Sequence, residues 1–537
     1  MDSNFGIFLS LYYFDKRSVI LSIFLSITQS ISLLPLGLIV QYLFDHVHDK
    51  ADLNALLIGI LVSIILILFN TVVVLYNKHI SLTLIKSFIS DIREKLIYKL
   101  LFLNAHFYVS EDLDKIHSQI VQDTERLDNM AAALLTQLIP SVVVIIGLSG
   151  VLIYLNFSLY TLLLVFLPIV YLVGAFLSKK MKLSIHDYHE DFAKFSAGVT
   201  FILKFYDLIK NSSAEMKEYS KQKSILKSVQ KLSKSVAWNA NTFNTIQGNL
   251  IVIGGFVVLL LGGYQVMNGQ ISLGALISFY VVLNITSGYF KTIITFIPVL
   301  VEGQNSIKSL DNILDNEELE STSSINFKFQ ESICFKEVEF TYGDFQILKN
   351  INFEIKKHQI FGISGESGSG KTTLIKLLLG AYPVYRGQIL IDGQNIDKLN
   401  FQEFRKQIGF LPQEPMFFTG TIYENLVYGL DNTDPALIEF YCKKCLIHDF
   451  IISLPNGYKT EIGNSGNKIS GGQKQRLAIA RSLIRKPEIL VLDEPDKNLD
   501  EKSVIDILNY IKHMKITTIV ISHNKNLLSD IRNQLKL

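Results

Sequence analysis

Six apolar stretches, each long enough to cross a bilayer, constrain this chain more than any other feature. A spanning helix needs about twenty predominantly apolar residues. The sequence offers Ser18–Phe44, Leu53–Tyr76, Leu134–Leu155, Leu159–Leu177, Asn249–Met267 and Leu273–Val301. The first is too long for the apolar core of a signal peptide, and no A-x-A cleavage pattern follows it, so it reads as a span. In lipid each span must satisfy its own backbone hydrogen bonds, and a run of this length does so as a helix.

The intervals between spans carry the organisation. The first and second are joined by DHVHDKADLN, the third and fourth by little more than NFS, and the fifth and sixth by NGQIS. Long charged stretches with helical periodicity separate the second from the third and the fourth from the fifth. They read as membrane helices that continue out into water, turn and return. They hold Lys78, Lys86, Arg93, Lys95, Lys99, Arg126, Lys179, Lys180 and Lys182, whereas the short loops hold only Lys50 against Asp45, Asp49 and Asp52. Excess Lys and Arg mark the cytoplasmic side, which places both long arms and both termini there. Net charge is only +2. A basic run of this kind needs no partner beyond solvent, and no nucleic-acid site is inferred. The cysteines, Cys334, Cys442 and Cys445, are too few and odd in number for a disulfide scaffold and fit thiols facing the cytosol.

Past Leu314 the chain becomes mixed and polar. Three regions are expected: residues 1–314 as a membrane domain with six helices and two cytoplasmic arms, the acidic, serine-rich 315–328 as a linker, and 329–537 as a soluble domain. In the last, GESGSGKT (Gly365–Thr372) matches a phosphate-binding loop, between the strand-like QIFGIS and the helical TLIKLLLG. Gly365, Glu366, Ser367, Gly368, Ser369 and Gly370 would wrap backbone N–H groups around phosphate oxygens, with Thr373 opening the helix behind them. Lys371 would neutralise the β- and γ-phosphates, and Thr372 would ligate Mg²⁺. ILVLDE (Ile489–Glu494) reads as a buried parallel strand ending on two acids. Asp493 is placed for Mg²⁺, and Glu494 is the candidate general base for water attacking the γ-phosphate.

ISGGQ (Ile469–Gln473) then identifies the chain as resembling the ATP-binding cassette transporters, whose signature is LSGGQ. The resemblance covers almost the whole chain and supplies further expectations in sequence order. Tyr342 in FTYG would stack on adenine. Gln413 in FLPQEP would contact Mg²⁺ and the attacking water and report to the membrane half. His523 in IVISHN would contact the γ-phosphate. Ser470, Gly471, Gly472 and Gln473 form the signature, and in that family Ser470 and Gly472 reach the γ-phosphate held by the opposite cassette. Asp500 matches the D-loop aspartate. The membrane half resembles exporter-type (type IV) half-transporters, with coupling turns expected near His106–Ser110 and Phe195–Phe201.

The resemblance implies a fold of six membrane helices followed by an α/β P-loop ATPase, with ATP and Mg²⁺ as cofactors. It implies dimerisation, most simply a homodimer, with a heterodimer as the alternative. It implies export of an amphipathic or lipophilic substrate (peptide, lipid-linked compound or drug) from a bacterial inner membrane. Import of a metal chelate and ATP-gated channel or regulator activity are the alternatives. No peptidase domain precedes the first span, which argues against cleavage of leader peptides.

Departures from the family pattern are equally specific. Lys497-Asn498 stands where Ser-Ala is usual, Gly463-Asn464-Ser465-Gly466 stands where Gly-Glu-x-Gly is usual, and the final strands and helix of the cassette are expected to be missing after His523. Lys291 interrupts the sixth span, either snorkelling to the inner membrane face or contacting substrate. Cys442-x-x-Cys445, with His448 nearby, has metal-ligand spacing but lacks a second pair, and packing is the preferred reading.

Overall fold

The structure, a computed structural model, describes residues 16–47, 53–103, 107–108, 116–117, 119–315, 327–342, 345–366, 368–463, 468–529 and 531–537. It divides into one unit of Met1–Leu101 with Glu111–Glu317 and a second of Phe102–Ser110 with Glu318–Leu537. The first unit contains α1 (Lys16–Tyr42), α2 (Leu53–Phe102), α3 (Gln119–Leu155), α4 (Phe157–Lys204), α5 (Glu215–Met267) and α6 (Leu273–Leu314). All six are long and apolar enough to cross a membrane. The 50 residues of α2 extend about 75 Å at 1.5 Å per residue, against roughly 30 Å of hydrocarbon. Its apolar first half suits lipid and its charged second half suits water.

Small and polar residues hold the helices together, as expected where lipid removes the hydrophobic drive between them. The Ser22 hydroxyl donates to Asn77 Oδ1 at 2.7 Å and Asn77 Nδ2 donates to Ser26 Oγ at 3.0 Å, joining α1 to α2. A Cβ at Gly37 would stand 2.6 Å from Val282, so only glycine lets α1 lie this close to α6. From α4 to α5, Asn156 donates to Gln265, Gln247 to the Val170 carbonyl and Asn239 to Ser184. The partner numbers fall on α5 as they rise on α4, the mark of an antiparallel pair. Asp45, after α1, accepts from Gly274 N at 2.9 Å and Ser272 Oγ at 2.7 Å, so it caps the N-terminus of α6. On α6 the exposed positions Tyr280, Asn284, Gly288, Lys291 and Thr295 share one face, and none is aliphatic.

The expected turn at Phe195–Phe201 is not a turn, because those residues lie inside α4. The chain reverses later, through a short helix at Tyr206–Asn211 and Ser213, whose φ is +51°. Charged helical periodicity runs unbroken past Phe201, and Asn211-Ser212-Ser213 supplies the helix-ending residues instead. Within His106–Ser110 only Phe107 and Tyr108 are described, and both are helical.

In the second unit β1 (Ser332–Tyr342), β2 (Phe345–Lys356), β4 (Arg386–Ile391) and β5 (Gln394–Asn395) form an antiparallel sheet in the order β2-β1-β4-β5. β3 (Ile360–Ser364), β6 (Ile408–Leu411), β9 (Ile489–Asp493), β10 (Thr517–Ile521) and β11 (Asn533–Lys536) form a parallel sheet in the order β11-β3-β10-β9-β6. β7 (Gly420–Thr421) and β8 (Glu461–Ile462) make a small separate ladder. The helices used below are α7 (Lys371–Leu378), α8 (Pro435–Lys444), α9 (Gly471–Ile484) and α10 (Glu501–His513).

Every residue of β9 and β10 is buried, which explains their near-continuous apolar sequences. β11 corrects part of the expectation that the final strands are missing, since one strand follows His523 and pairs in parallel with β3. Its sequence NQLK, on an exposed sheet edge, carries no apolar run to reveal it.

Candidate functional site

Ligands of parallel α/β sheets bind beyond the carboxyl ends of the strands, and here three strands end on chemically active residues. After β3 the chain enters the glycine loop. Gly368 and Gly370 have φ of +84° and +95°, a backbone region open to glycine and costly for other residues. α7 follows at once, so the loop N–H groups and the helix N-terminus share one concavity. The Lys371 ammonium folds back to donate to the carbonyls of Gly365 (3.0 Å) and Glu366 (2.8 Å). Lys371 is buried, and among the described residues it pairs with no carboxylate. The Ser369 hydroxyl is also buried and lacks a partner among the described residues. A buried cation and an orphaned donor in a concavity of N–H groups fit a phosphate chain. Ser367 lies outside the described residues.

At the end of β9, Asp493 Oδ2 accepts from Thr372 Oγ1 at 3.3 Å. These hard oxygens could hold a divalent cation. Burial, and next the charge of Glu494, hold the Asp493 carboxyl above the usual range, against the opposing pull of Thr372, Lys371 and His523. Glu494 takes a left-handed backbone, φ +51°, and its N–H donates to the Ile521 carbonyl of β10 at 2.9 Å. Its Oε1 lies 3.5 Å from His523 Nε2. Lys371, Thr372, Asp493, Glu494 and His523 are thus linked by motif, hydrogen bond or ion pair. Gln413 sits exposed after β6 and makes no hydrogen bond to this group among the described residues. Tyr342 is half-buried, edge-on to Phe340 and Tyr382. Burial and a bond to Tyr342 push the Tyr382 phenol up to about 12.

The signature opens α9. The Ser470 hydroxyl accepts from Gln473 N, while Gln473 Oε1 accepts from Ser470 N at 2.8 Å, a reciprocal cap. Gly471 and Gly472 rest on the unusual D-loop. A Cβ at Gly472 would stand 2.8 Å from the Asn498 carbonyl, and one at Gly471 would stand 3.1 Å from the Asn498 side chain. Lys497 lies 3.8 Å from Glu414, the residue after Gln413. Asp500 caps α10 by accepting from Ser503 N at 2.9 Å, and Arg476 donates to it at 3.1 Å. Hydrogen bonds from Ser503, with a smaller pull from Arg476, hold its carboxyl below the usual range. The segment 464–467 lies outside the described residues.

Cys442 and Cys445, on α8 and at its end, are fully buried and free. Burial pushes the Cys442 thiol up to about 11 and Cys445 higher still, which disfavours the thiolate a metal or redox reaction needs. No metal-binding group of three or more ligands occurs among the described residues. Sequence reasoning missed Gln475, a polar residue on the apolar stripe of α9 whose amide donates to the Glu494 carbonyl. Its place in that stripe was the available signal.

Six potential spans joined to a phosphate-loop cassette define a membrane protein driven by a nucleotide. A family model of the ABC transporter transmembrane region matches residues 19–290, and one of the ABC transporter matches residues 348–497. A putative multidrug export ATP-binding/permease protein of Staphylococcus aureus is 31% identical over 445 residues, covering 81% of this chain and 76% of that protein. An ATP-dependent lipid A-core flippase of Psychrobacter arcticus is 28% identical over 497 residues, covering 90% of this chain and 82% of that one. The structure of a bacterial Atm1-family ABC exporter with ATP bound superposes with a TM-score of 0.86 at 24% identity, over 97% of this chain and 93% of that one, and shows the shared fold. The chain belongs to the ABC transporter family. It is a multi-pass membrane protein that binds ATP and couples its hydrolysis to transport.

Proposed function

We propose that this chain is one half of a homodimeric exporter that carries an amphipathic or lipophilic substrate out of the cytoplasm across a bacterial inner membrane. The gathering of Lys371, Thr372, Asp493, Glu494 and His523 at the ends of β3, β9 and β10 carries the reading. Lys371 holds the β- and γ-phosphates. Thr372 and Asp493, with Gln413, would hold Mg²⁺, which would shield phosphate charge. Glu494 accepts a proton from the attacking water, and His523 steadies the carboxylate and the γ-phosphate. Tyr342 supports the adenine.

Dimerisation follows from the signature. Ser470 and Gln473 cap their own helix, Gly471 and Gly472 lie on their own D-loop, and none bonds the phosphate loop of the same chain among the described residues. A second cassette, presenting its signature to this phosphate loop, completes each site, and closure of the pair drives the membrane helices between two states.

The staphylococcal multidrug-export relative and the lipid A-core flippase support a lipophilic substrate. The exposed polar face of α6 suits the polar part of such a molecule or the partner chain. Peptides, lipids, drugs and metal chelates screened for ATPase stimulation in lipid discs would identify the class. ATP-driven uptake into inside-out vesicles would establish export. Uptake by right-side-out vesicles alone would reverse the direction.

A further inference from the structure

We propose that Gln475 is a positioning residue that fixes the backbone of Glu494 from the signature helix, a role that rests on Glu494 being the general base. Gln475 is 1% exposed, and its Nε2 donates to the Glu494 carbonyl at 3.1 Å. A buried amide is costly unless bonded, and an apolar residue would serve this position of α9 if packing were its purpose. Glu494 has the conformation that needs such a hold. Its φ of +51° lies where a residue with a side chain rarely rests without support. The support comes from three elements. Its N–H is tied to the Ile521 carbonyl of β10 at 2.9 Å, and its carbonyl accepts from Lys497 N at 3.1 Å as well as from Gln475 on α9. With both peptide groups fixed, the side chain leaves the backbone in one direction, towards His523.

The same end of α9 grips the following loop twice more. Gly472 lies against the Asn498 carbonyl, and Arg476 donates to Asp500 and to Ser503 at 3.1 and 3.0 Å. Signature, base and D-loop therefore form one rigid piece within the cassette. A displacement of the signature, as when it meets a nucleotide held by a second cassette, moves Glu494 in its own site. Gln475 is the side chain that makes this connection directly to the base.

The test uses the full chain in lipid discs. Gln475→Met keeps length and burial but removes the donor, and Gln475→Leu serves if the methionine variant fails to fold. The expected result is a fall in kcat of about tenfold or more with KM for ATP within about twofold, since misplacing a reacting group by about 1 Å costs up to 10²-fold. ATP should raise the thermal midpoint as it does in the parent. Glu494→Gln is assayed beside them. If Glu494→Gln is inactive while Gln475→Met keeps its full kcat, the positioning role is wrong. If Gln475→Met lowers the thermal midpoint and raises KM with kcat unchanged, Gln475 only packs, and the proposal fails. If Glu494→Gln hydrolyses ATP at the parent rate, the error lies in the assignment of the base.

Discussion

Asp493 and Glu494 are neighbours in sequence that sit in different environments. Asp493 is almost fully buried at the sheet end, while the Glu494 side chain is 19% exposed beside His523. Glu494→Gln should lower ATP hydrolysis by at least about 10²-fold, the scale of general-base catalysis, while ATP still binds. Phosphate release and a nucleotide-binding assay check the two halves of that statement. Asp493 has a consequence for stability. Its carboxyl is raised above the usual range, so its favourable contribution is complete below the unfolded value, near 3.8, and is lost as pH rises through the folded value. At neutral pH the buried charge opposes folding. Asp493→Asn should raise the thermal midpoint at pH 7.5 and lose that advantage in acid, where Asp493 is itself protonated. A lower midpoint at pH 7.5 would show that the charge is compensated. Asp493 and Glu494 stand out in the sequence because motif and chemistry coincide within a short window. Gln475 does not, because its partner is a backbone carbonyl in a conformation no motif encodes.

Among the elements, α9 and the D-loop meet in a close backbone contact. Gly472→Ala would drive a Cβ against the backbone oxygen of Asn498, which cannot rotate away, and should cost about 1–3 kcal/mol, as overpacking does. Gly471→Ala meets only the Asn498 side chain. Adding Asn498→Gly, which removes the whole side chain at a φ of +63° that glycine tolerates, should therefore rescue Gly471→Ala and leave Gly472→Ala impaired, as read by a double-mutant cycle in thermal unfolding. Equal rescue of both would mean that the backbone gives way. Helix existence was readable from apolar length, and strand β9 from its apolar run. The reversal after α4 and edge strand β11 were not. A charged periodic helix carries no signal of where it must turn, and a polar edge strand is specified by its neighbours.

For the whole molecule the open variable is what the membrane helices carry. Lys291 occupies the exposed face of α6 with Tyr280, Asn284 and Thr295, and no ion pair holds it among the described residues. If this face meets substrate, Lys291→Ala should reduce transport and weaken substrate stimulation of ATPase several-fold. Unchanged transport and stimulation would leave the lysine snorkelling at the inner membrane face. The same chemistry tells against a lipid-facing role for the stripe, since lipid favours the aliphatic residues that α2 exposes.

The sequence by itself determined the architecture and the reaction, because both rest on local physics. A run of about twenty apolar residues satisfies its backbone in lipid as a helix, and a glycine loop before Lys and Thr has the chemistry to cradle phosphate. What only tertiary structure decided is how distant pieces meet. Asp45 caps a helix more than two hundred residues later, Asn498 sits under the signature glycines, and Gln475 holds Glu494 by its backbone. These contacts depend on close approach between segments whose register is set by packing of the whole domain. No short window of sequence contains that information.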